Sequence, residues 1–371
     1  MNFEFSDDQR MIQDQARSFL TEHSPLARVR EVLDRDSLDD NSFDLDLWNG
    51  LLELGWAGVA IPEHYGGLGL GYLELCVIAE ELGRSLAAVP FSSSVYLAAE
   101  AILLAGSDEQ KQQWLPKIAS GEVIASIAFA ENLGGVALSA PAVSVSSAGL
   151  LNGSKLPVCD GAAADLLLVS AINDYGKSGW YLVTANANGL TRKSLSCIDP
   201  SRSVAGVTFS NTPAEPICSA RSAESLQADL FNRAAVLFAF EQVGGAQACL
   251  DMAREYTTQR YAFGRQIGSF QALKHKMADM FVVIELARSN AYYGAWALSS
   301  GAGSLTEAAA VARISATDAY YQCSKENMQA HGGMGYTWEL DCHLYYRRAQ
   351  YLSSLLGSQA YWKDRLMEEV A

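Results

Sequence analysis

The sequence predicts an α+β protein with helical segments at both ends and a β-rich segment between them. Residues 1–118 and 225–371 repeat apolar residues at three- and four-residue spacing, the period of a helix packed on one face. Residues 119–224 instead contain short apolar runs bounded by Gly, Asn, Asp and Ser, which is typical of strands joined by turns. We therefore expect three consecutive domains with these boundaries.

The N-terminal segment carries signals for helix starts and for one loop. Ser6 opens the stretch SDDQRMIQDQARSFL and is a predicted N-cap, because acidic residues occupy the first turn after it. The stretches LDLWNGLLELG and GYLELCVIAEELGRS have the helical period. Between them, IPEHYGGLGLG contains a proline and several glycines, so we expect a loop there.

The strand and late-helix predictions rest on equally local patterns. The runs LLLVSA, GWYLVTA and VAGVTFS combine β-branched and aromatic residues with flanking turn residues, so each is a predicted strand. Three long helical stretches follow, beginning near Leu226, Phe270 and Leu305. The last two are long enough to pack antiparallel in a bundle.

The composition is that of a soluble globular protein, with 49% hydrophobic and 19% charged residues in 371. The formal net charge of −15 disfavours nonspecific nucleic-acid binding, because the phosphates would be repelled. The seven cysteines form no CxxC pair, and we interpret them as reduced thiols of a cytoplasmic protein, mostly in its core. Neither a signal peptide nor an apolar run of membrane-spanning length is evident, so no membrane partner is expected.

Four stretches in a fixed order resemble motifs of the acyl-CoA dehydrogenase family. IPEHYGGLGLG resembles its N-terminal loop, and GSDEQKQQWLPKIASGE resembles the helix before its β-domain. RYAFGRQIGSFQ resembles its Arg-x-x-Phe-Gly…Phe-Gln segment, and QAHGGMGYTWE its Gln-x-x-Gly-Gly-x-Gly segment. The resemblance covers nearly the whole chain. It implies an N-terminal helical domain, a middle β-sandwich or barrel domain, a C-terminal four-helix bundle, FAD as cofactor and an acyl-CoA as substrate.

In this family FAD lies across a subunit interface, and the resemblance assigns part of that site to this chain. Arg260 would pair a phosphate of the FAD bound to a neighbouring subunit, through charge-assisted hydrogen bonds. Phe263 would pack beside the cofactor, and Gly264 would let the backbone approach it. The other implied FAD contacts are Ala262, Ile267, Phe270, Gln271, Gln329, Gly332 and Gly333. The alternative interpretation of the arginine-glycine stretch is a helix-capping loop with solvated arginines.

The β-rich segment departs from the family pattern at the flavin ring. Where members have Glu-Pro-Gly-Ala-Gly-Ser/Thr-Asp, this chain has AENLGGVAL, which keeps Glu131 but loses the proline and the polar end. Where members have Met-Trp-x-Thr, SKLPVCDG places Val158 at the tryptophan and Asp160 at the threonine. A carboxylate beside an electron-rich reduced flavin is electrostatically unfavourable. We therefore expect a degraded flavin-ring half-site in this chain.

The catalytic glutamate of the family also has no counterpart at its usual positions. That residue takes the α-proton of the acyl-CoA while a hydride leaves the β-carbon for the flavin. The two positions at which members carry it hold Leu356 and Ala234 here. Glu241 lies seven residues, about two helical turns, beyond Ala234 in an apolar stretch. It is either a structural carboxylate, bonded to a neighbouring helix or subunit, or a displaced catalytic base.

The histidines do not predict a metal site. His331 precedes the glycine pair and is either a cofactor contact or a loop-packing residue. We interpret His275 as a helix-surface or interhelix residue. His343 lies near Asp341 and Cys342, but no second pair of ligands at metal spacing accompanies them. No metal is assigned.

The mixture of kept and lost motifs predicts the β-type subunit of a heteromeric α2β2 acyl-CoA dehydrogenase. It resembles the β-type chains of bacterial enzymes for steroid side chains. An α-type partner would supply the flavin-ring pocket and the glutamate, and electrons would pass to an electron-transfer flavoprotein. Two alternatives stay open: a self-sufficient homo-oligomeric dehydrogenase that uses Glu241, and a non-enzymatic scaffold or acyl-CoA-binding protein.

Overall fold

The computed structural model describes residues 6–35, 43–132, 141–217 and 221–371. Its first helix begins as predicted, because the Ser6 hydroxyl accepts from the Gln9 amide at 3.2 Å and the Gln9 side chain accepts from the Ser6 amide. The helices before the sheet are α1 (Asp7–His23), α2 (Leu26–Leu33), α3 (Leu45–Glu53), α4 (Tyr72–Arg84), a π-helical stretch (Ser92–Ala99), α5 (Glu100–Ala105) and α6 (Asp108–Ser120).

The middle of the chain forms a curled mixed sheet of eight strands within the described residues. The strands are β1 (Ala125–Ala128), β2 (Ser144–Val145), β3 (Leu150–Cys159), β4 (Leu166–Asn173), β5 (Ser178–Thr184), β6 (Leu190–Ser194), β7 (Val204–Pro213) and β8 (Glu215–Pro216). The spatial order is β6-β7-β3-β2-β4-β5-β8, and β1 pairs with β4. The β1–β4 and β2–β4 pairs are parallel and the other pairs are antiparallel. The three predicted strands are confirmed as β4, β5 and β7.

Long helices follow the sheet, as the sequence predicts. They are α7 (Ala223–Gln259), α8 (Gln271–Ser300), α9 (Leu305–Ala330), α10 (Cys342–Ser354) and α11 (Gln359–Val370). A small hairpin of β9 (Tyr261–Ala262) and β10 (Arg265–Gln266) separates α7 from α8. Helices α8 and α9 pack along their lengths. The helix–β–helix order predicted from the sequence is therefore confirmed.

The chain forms two compact units that are each assembled from several segments. One unit contains residues 1–29, 72–87 and 235–371, and the other contains residues 30–71 and 88–234. The first is helical, and the second holds the sheet. The predicted division into three consecutive domains follows the order of the sequence, whereas these units are defined by contacts. The three-domain division stays a prediction.

Helices α4 and α7 cross at close range inside the helical unit. A Cβ atom built on Gly83 would lie 1.9 Å from the carbonyl oxygen of Glu241, and one built on Gly244 would lie 1.8 Å from the carbonyl oxygen of Glu80. Only glycine fits at either position, since each backbone touches the other helix. This crossing fixes the part of α7 that carries Glu241.

Candidate functional site

The predicted cofactor segment between α7 and α8 is a tight two-residue hairpin. Ala262 pairs with Arg265 across the turn, so Phe263 and Gly264 form its two central residues. Both have positive φ, +52° and +77°, which is the signature of a type I′ turn. A phenylalanine rarely adopts this conformation. Its side chain is 95% exposed, so the hairpin holds an aromatic ring out into solvent.

The base of the hairpin is fixed to the end of α7. The Arg260 amide donates to the Tyr256 carbonyl at 2.9 Å, and the Ile267 amide donates to the Arg260 carbonyl at 2.8 Å. A Cβ atom on Gly268 would lie 2.9 Å from the Thr257 carbonyl oxygen, so the returning strand lies directly against the helix end. These contacts with the end of α7 therefore hold the hairpin in place.

The exposed surface around the hairpin combines cationic and aromatic groups. The Arg265 guanidinium lies 4.0 Å from the centroid of the Phe270 ring, and Phe263 meets Phe270 edge-to-face at 6.2 Å. Arg260 is exposed beside them. Helix α8 starts at Gln271 without a side-chain cap, so its amides and the positive end of its dipole face the same region. These groups suit a ligand that has phosphates and an aromatic ring.

The second predicted cofactor segment, the glycine pair after α9, lies next to the base of the hairpin. The His331 ring stacks on the Tyr256 ring with centroids 4.1 Å apart and planes 28° apart. Gly332 has φ +61°, and both it and Gly333 are exposed. Gln329 lies one turn earlier and accepts from the Tyr336 hydroxyl at 3.5 Å. The two motifs, more than sixty residues apart in sequence, are thus neighbours in space.

The position that the resemblance assigns to the flavin ring contains a buried ion pair. Asp160 is 2% exposed and has φ +52°, and its Oδ2 accepts from the Ser93 hydroxyl at 2.6 Å. Arg202, 4% exposed, donates from Nη2 to the same Oδ2 at 3.4 Å and to the Ser92 hydroxyl at 2.6 Å. Val158 is fully buried in the sheet core. Asp160 is therefore satisfied by protein groups.

A second buried pair occupies the remnant of the other flavin motif. The Lys155 ammonium, which is fully buried, donates to Glu131 Oε1 at 2.6 Å and to the Ser170 hydroxyl at 3.0 Å. Burial lowers the pKa of Lys155, and the carboxylate of Glu131 opposes that shift. Glu131 also accepts from the amides of Ala142 and Val143. Residues 133–140, which hold the rest of this motif, lie outside the described residues.

The two positions that the resemblance assigns to the catalytic glutamate hold buried apolar residues. Ala234 is fully buried within α7, and Leu356 is buried with φ +59° just after α10. Helix α10 ends under the Arg313 guanidinium, which donates to the Leu352 and Leu355 carbonyls. Neither Ala234 nor Leu356 can accept a proton.

Glu241 lies among arginines rather than in an open pocket. It is 3% exposed, and its Oε1 lies 3.7 Å from Nη1 of Arg348, which is also buried. Burial lowers the pKa of Arg313 to about 10, and the charge of Glu241 opposes that shift. The carboxylate therefore belongs to a buried ionic cluster of the helical unit.

Some residues of these arrangements were not identified from the sequence. Tyr256, Lys155 and Arg202 carry no motif signal, although a lysine inside an apolar strand and an arginine beside a turn are visible in retrospect. Within the described ranges, no helix meets the length and hydropathy needed to cross a bilayer. The same residues contain no cluster of three or more metal-ligating side chains.

Known proteins share this fold and these motifs. The acyl-CoA dehydrogenase N-terminal domain matches residues 6–122, and the C-terminal domain of that family matches residues 225–371. The chain is 31% identical to acyl-CoA dehydrogenase IpdE2 of Mycobacterium tuberculosis, over 98% of both chains. It is similar to a structure of the Tcur3481-Tcur3483 steroid ACAD, with 30% identity, a TM-score of 0.88 and 98% of each chain covered. It is also similar to a structure of the ChsE4-ChsE5 complex from Mycobacterium tuberculosis, with 26% identity, a TM-score of 0.89, and 100% of this chain and 99% of that chain covered. The family expected from the motifs, and with it the FAD cofactor class, is therefore confirmed: the chain belongs to the acyl-CoA dehydrogenase family.

Proposed function

We propose that this chain is the β-type subunit of a heteromeric, FAD-dependent acyl-CoA dehydrogenase. In this proposal it contributes the hairpin and the glycine pair to an FAD whose flavin ring is bound by an α-type partner. The partner also supplies the base that removes the α-proton of the acyl-CoA. The reaction is α,β-dehydrogenation to the trans-2-enoyl-CoA, and the electrons leave through an electron-transfer flavoprotein.

The observation that carries this proposal is the contrast between two parts of the chain. The segment for a neighbour's cofactor keeps an ordered hairpin with exposed Arg260 and Phe263. The position for this chain's own flavin ring is filled by the buried pair of Asp160 and Arg202. Separating a buried ion pair to admit a flavin ring would cost much free energy, since each buried charge would be left uncompensated. The hairpin segment therefore fits FAD, and the position of the Asp160–Arg202 pair does not.

Each group around the hairpin would have a distinct task toward the bound cofactor. The Arg260 guanidinium suits bidentate hydrogen bonding to the pyrophosphate. Phe263 offers a ring face, and the uncapped amides at the start of α8 suit an anion. FAD, when bound, supplies the acceptor for the hydride from the substrate β-carbon. This chain would bind and orient that cofactor without moving a proton itself.

An exposed apolar face on α8 supports a partner chain. Phe281, Val282 and Leu286 are each more than half exposed on one side of this helix. Contiguous apolar surface of this kind marks protein–protein contacts. Two of the similar structures are named as pairs of chains, one of them as a steroid enzyme. A thioester with a bulky steroid side chain is accordingly the acyl-CoA that we propose first.

The test is the flavin content of the purified chain, measured by absorbance and mass spectrometry. We expect a colourless protein alone, and a yellow complex with activity after co-expression with an α-type chain. One FAD per chain in an active homo-oligomer would overturn the heteromeric assignment. Absence of flavin and activity under every pairing would instead leave a scaffold or an acyl-CoA-binding protein.

The self-sufficient alternative requires Glu241 or another carboxylate to act as the base. The burial of Glu241 beside Arg348 favours the structural role, because the guanidinium stabilises the carboxylate where it is. We therefore assign Glu241 to the ionic cluster of the helical unit.

A further inference from the structure

The two cofactor segments are joined by one aromatic contact at their bases. Tyr256 lies one turn before the end of α7, and its carbonyl accepts from the Arg260 amide that starts the hairpin. His331 directly follows α9 and directly precedes Gly332. Their rings stack at 4.1 Å. A displacement of either ring would therefore change the separation of the two segments.

His331 is itself held from three sides. Its Nδ1 lies 2.9 Å from the Asn327 carbonyl oxygen, and because a carbonyl only accepts, Nδ1 carries the proton. The 332–336 turn closes over it, since a Cβ atom on Gly335 would lie 3.0 Å from the His331 Cβ and 2.3 Å from the Met328 carbonyl oxygen. The titratable group that faces the ring is Tyr256 of α7; α9 presents the Asn327 carbonyl, and the turn presents the backbone of Gly335.

We propose that Tyr256 and His331 are a positioning pair that sets the distance between the hairpin and the glycine pair, so that both contact the adenosine diphosphate half of one FAD. This inference rests on the proposed function. It assigns His331 to packing beneath the cofactor surface rather than to direct contact with the cofactor. The His331 ring is buried and the Tyr256 ring is partly buried, whereas Arg260, Gly332 and Gly333 are exposed.

The pair also makes the stability of the fold sensitive to acid. Burial lowers the pKa of His331, and the Asn327 carbonyl opposes that shift only in part. A histidine whose pKa is lowered in the folded state stabilises that state at pH values above its ordinary pKa of 6.5. This stabilisation is lost as the pH falls below 6.5. Protonation of the second ring nitrogen would place a buried charge against Tyr256.

The test uses the flavin-containing assembly, heteromeric or homomeric, and measures the dissociation constant of FAD between pH 5.5 and 8. We expect His331→Ala and Tyr256→Ala to raise it about tenfold at pH 8. His331→Phe keeps a stacked ring and should stay within about twofold of the unchanged chain. By urea denaturation, it should also lose the part of the acid destabilisation that His331 contributes below pH 6.5. His64→Ala is the control, since the His64 ring also lies against a tyrosine ring, 4.0 Å from that of Tyr65 between centroids, but is tilted by 48° and exposed.

The outcomes separate this inference from the function on which it rests. An Arg260→Ala chain that keeps FAD fully would overturn the cross-subunit role of the hairpin. If Arg260→Ala loses FAD while His331→Ala keeps it, the positioning pair is wrong and the function stands. Two results for His331→Phe would also overturn the positioning pair. One is an acid dependence that is the same as in the unchanged chain, and the other is FAD binding as weak as that of His331→Ala.

Discussion

Asp160 and Arg202 form a buried ion pair, 3.4 Å between Oδ2 and Nη2, and Asp160 stands where the resemblance places a threonine beside the flavin ring. Ser92 and Ser93, at the start of the π-helical stretch, bond to the two charged groups. The pair thereby connects three segments of the sheet-containing unit. The two charges and the two serines are thus part of the buried core of that unit.

Replacing Arg202 with Met should destabilise the fold by about 3 kcal/mol, because it leaves the Asp160 carboxylate buried without its cation. The double variant Asp160→Asn/Arg202→Met should recover most of that loss, since no charge remains and asparagine tolerates the φ of +52° at this position. Urea denaturation of the purified chain measures both. Lys193→Met, at an exposed position of β6, is the control and should change little. A double variant as unstable as the single one would contradict an ionic role for the pair.

Replacing Arg260 with Ala should raise the dissociation constant of FAD about tenfold, because one charge-assisted bond to phosphate is lost. The melting temperature without cofactor should not change, as the side chain is exposed. Arg254→Ala removes another exposed cation from α7, six residues before Arg260, and should retain FAD. Equal losses in both variants would indicate a general charge effect.

Replacing Glu241 with Gln should lower the free energy of unfolding by about 3 kcal/mol, since the buried Arg348 would lose its anion. Turnover per bound flavin should stay the same. Steady-state kinetics and urea denaturation on one preparation give both quantities. A hundredfold loss of turnover with unchanged stability would instead identify Glu241 as the base.

The pair of Glu131 and Lys155 should make stability depend on pH. Burial acts to raise the pKa of Glu131, but the bonds from Lys155 and the backbone amides outweigh it and lower that pKa. A carboxylate with a lowered pKa stabilises the fold at neutral pH, and the contribution is lost as the pH falls below its ordinary value of 4.5. Glu131→Gln should therefore be less stable by about 2 kcal/mol at pH 7, with a smaller difference at pH 3.5.

Urea denaturation at the two pH values tests this expectation. Glu122→Gln is the control, since Glu122 pairs with Lys117 at the surface and should contribute little at either pH. The expectation is wrong if Glu131→Gln and the unchanged chain differ in free energy of unfolding by the same amount at pH 7 and at pH 3.5.

Local sequence patterns predicted the helices and strands, but they did not predict which distant residues pair with each other. The cap at Ser6 and the strand in GWYLVTA follow from neighbouring residues, and both are confirmed. The partners Asp160 and Arg202 are 42 residues apart, and no periodicity links them. Which buried charges meet is decided by strand pairing, so a sequence can only indicate that each needs a partner.

The candidate cofactor surface was predicted in part. Arg260 and Gly264 were identified by resemblance to a motif, whereas the turn type follows from the pairing of Ala262 with Arg265. The stack of Tyr256 on His331 could not be predicted, because it depends on where the ends of two helices meet. One compact unit also combines segments from both ends of the chain, which local sequence patterns do not indicate.

The buried ion pair of Asp160 and Arg202 also constrains how this chain can evolve. Reversion at either position alone leaves an unpaired charge in the core, so each single step back toward a flavin pocket passes through a less stable protein. Two simultaneous changes are needed, with further ones to rebuild the ring contacts. Under the proposed function, the pair would oppose any stepwise return to a self-sufficient enzyme.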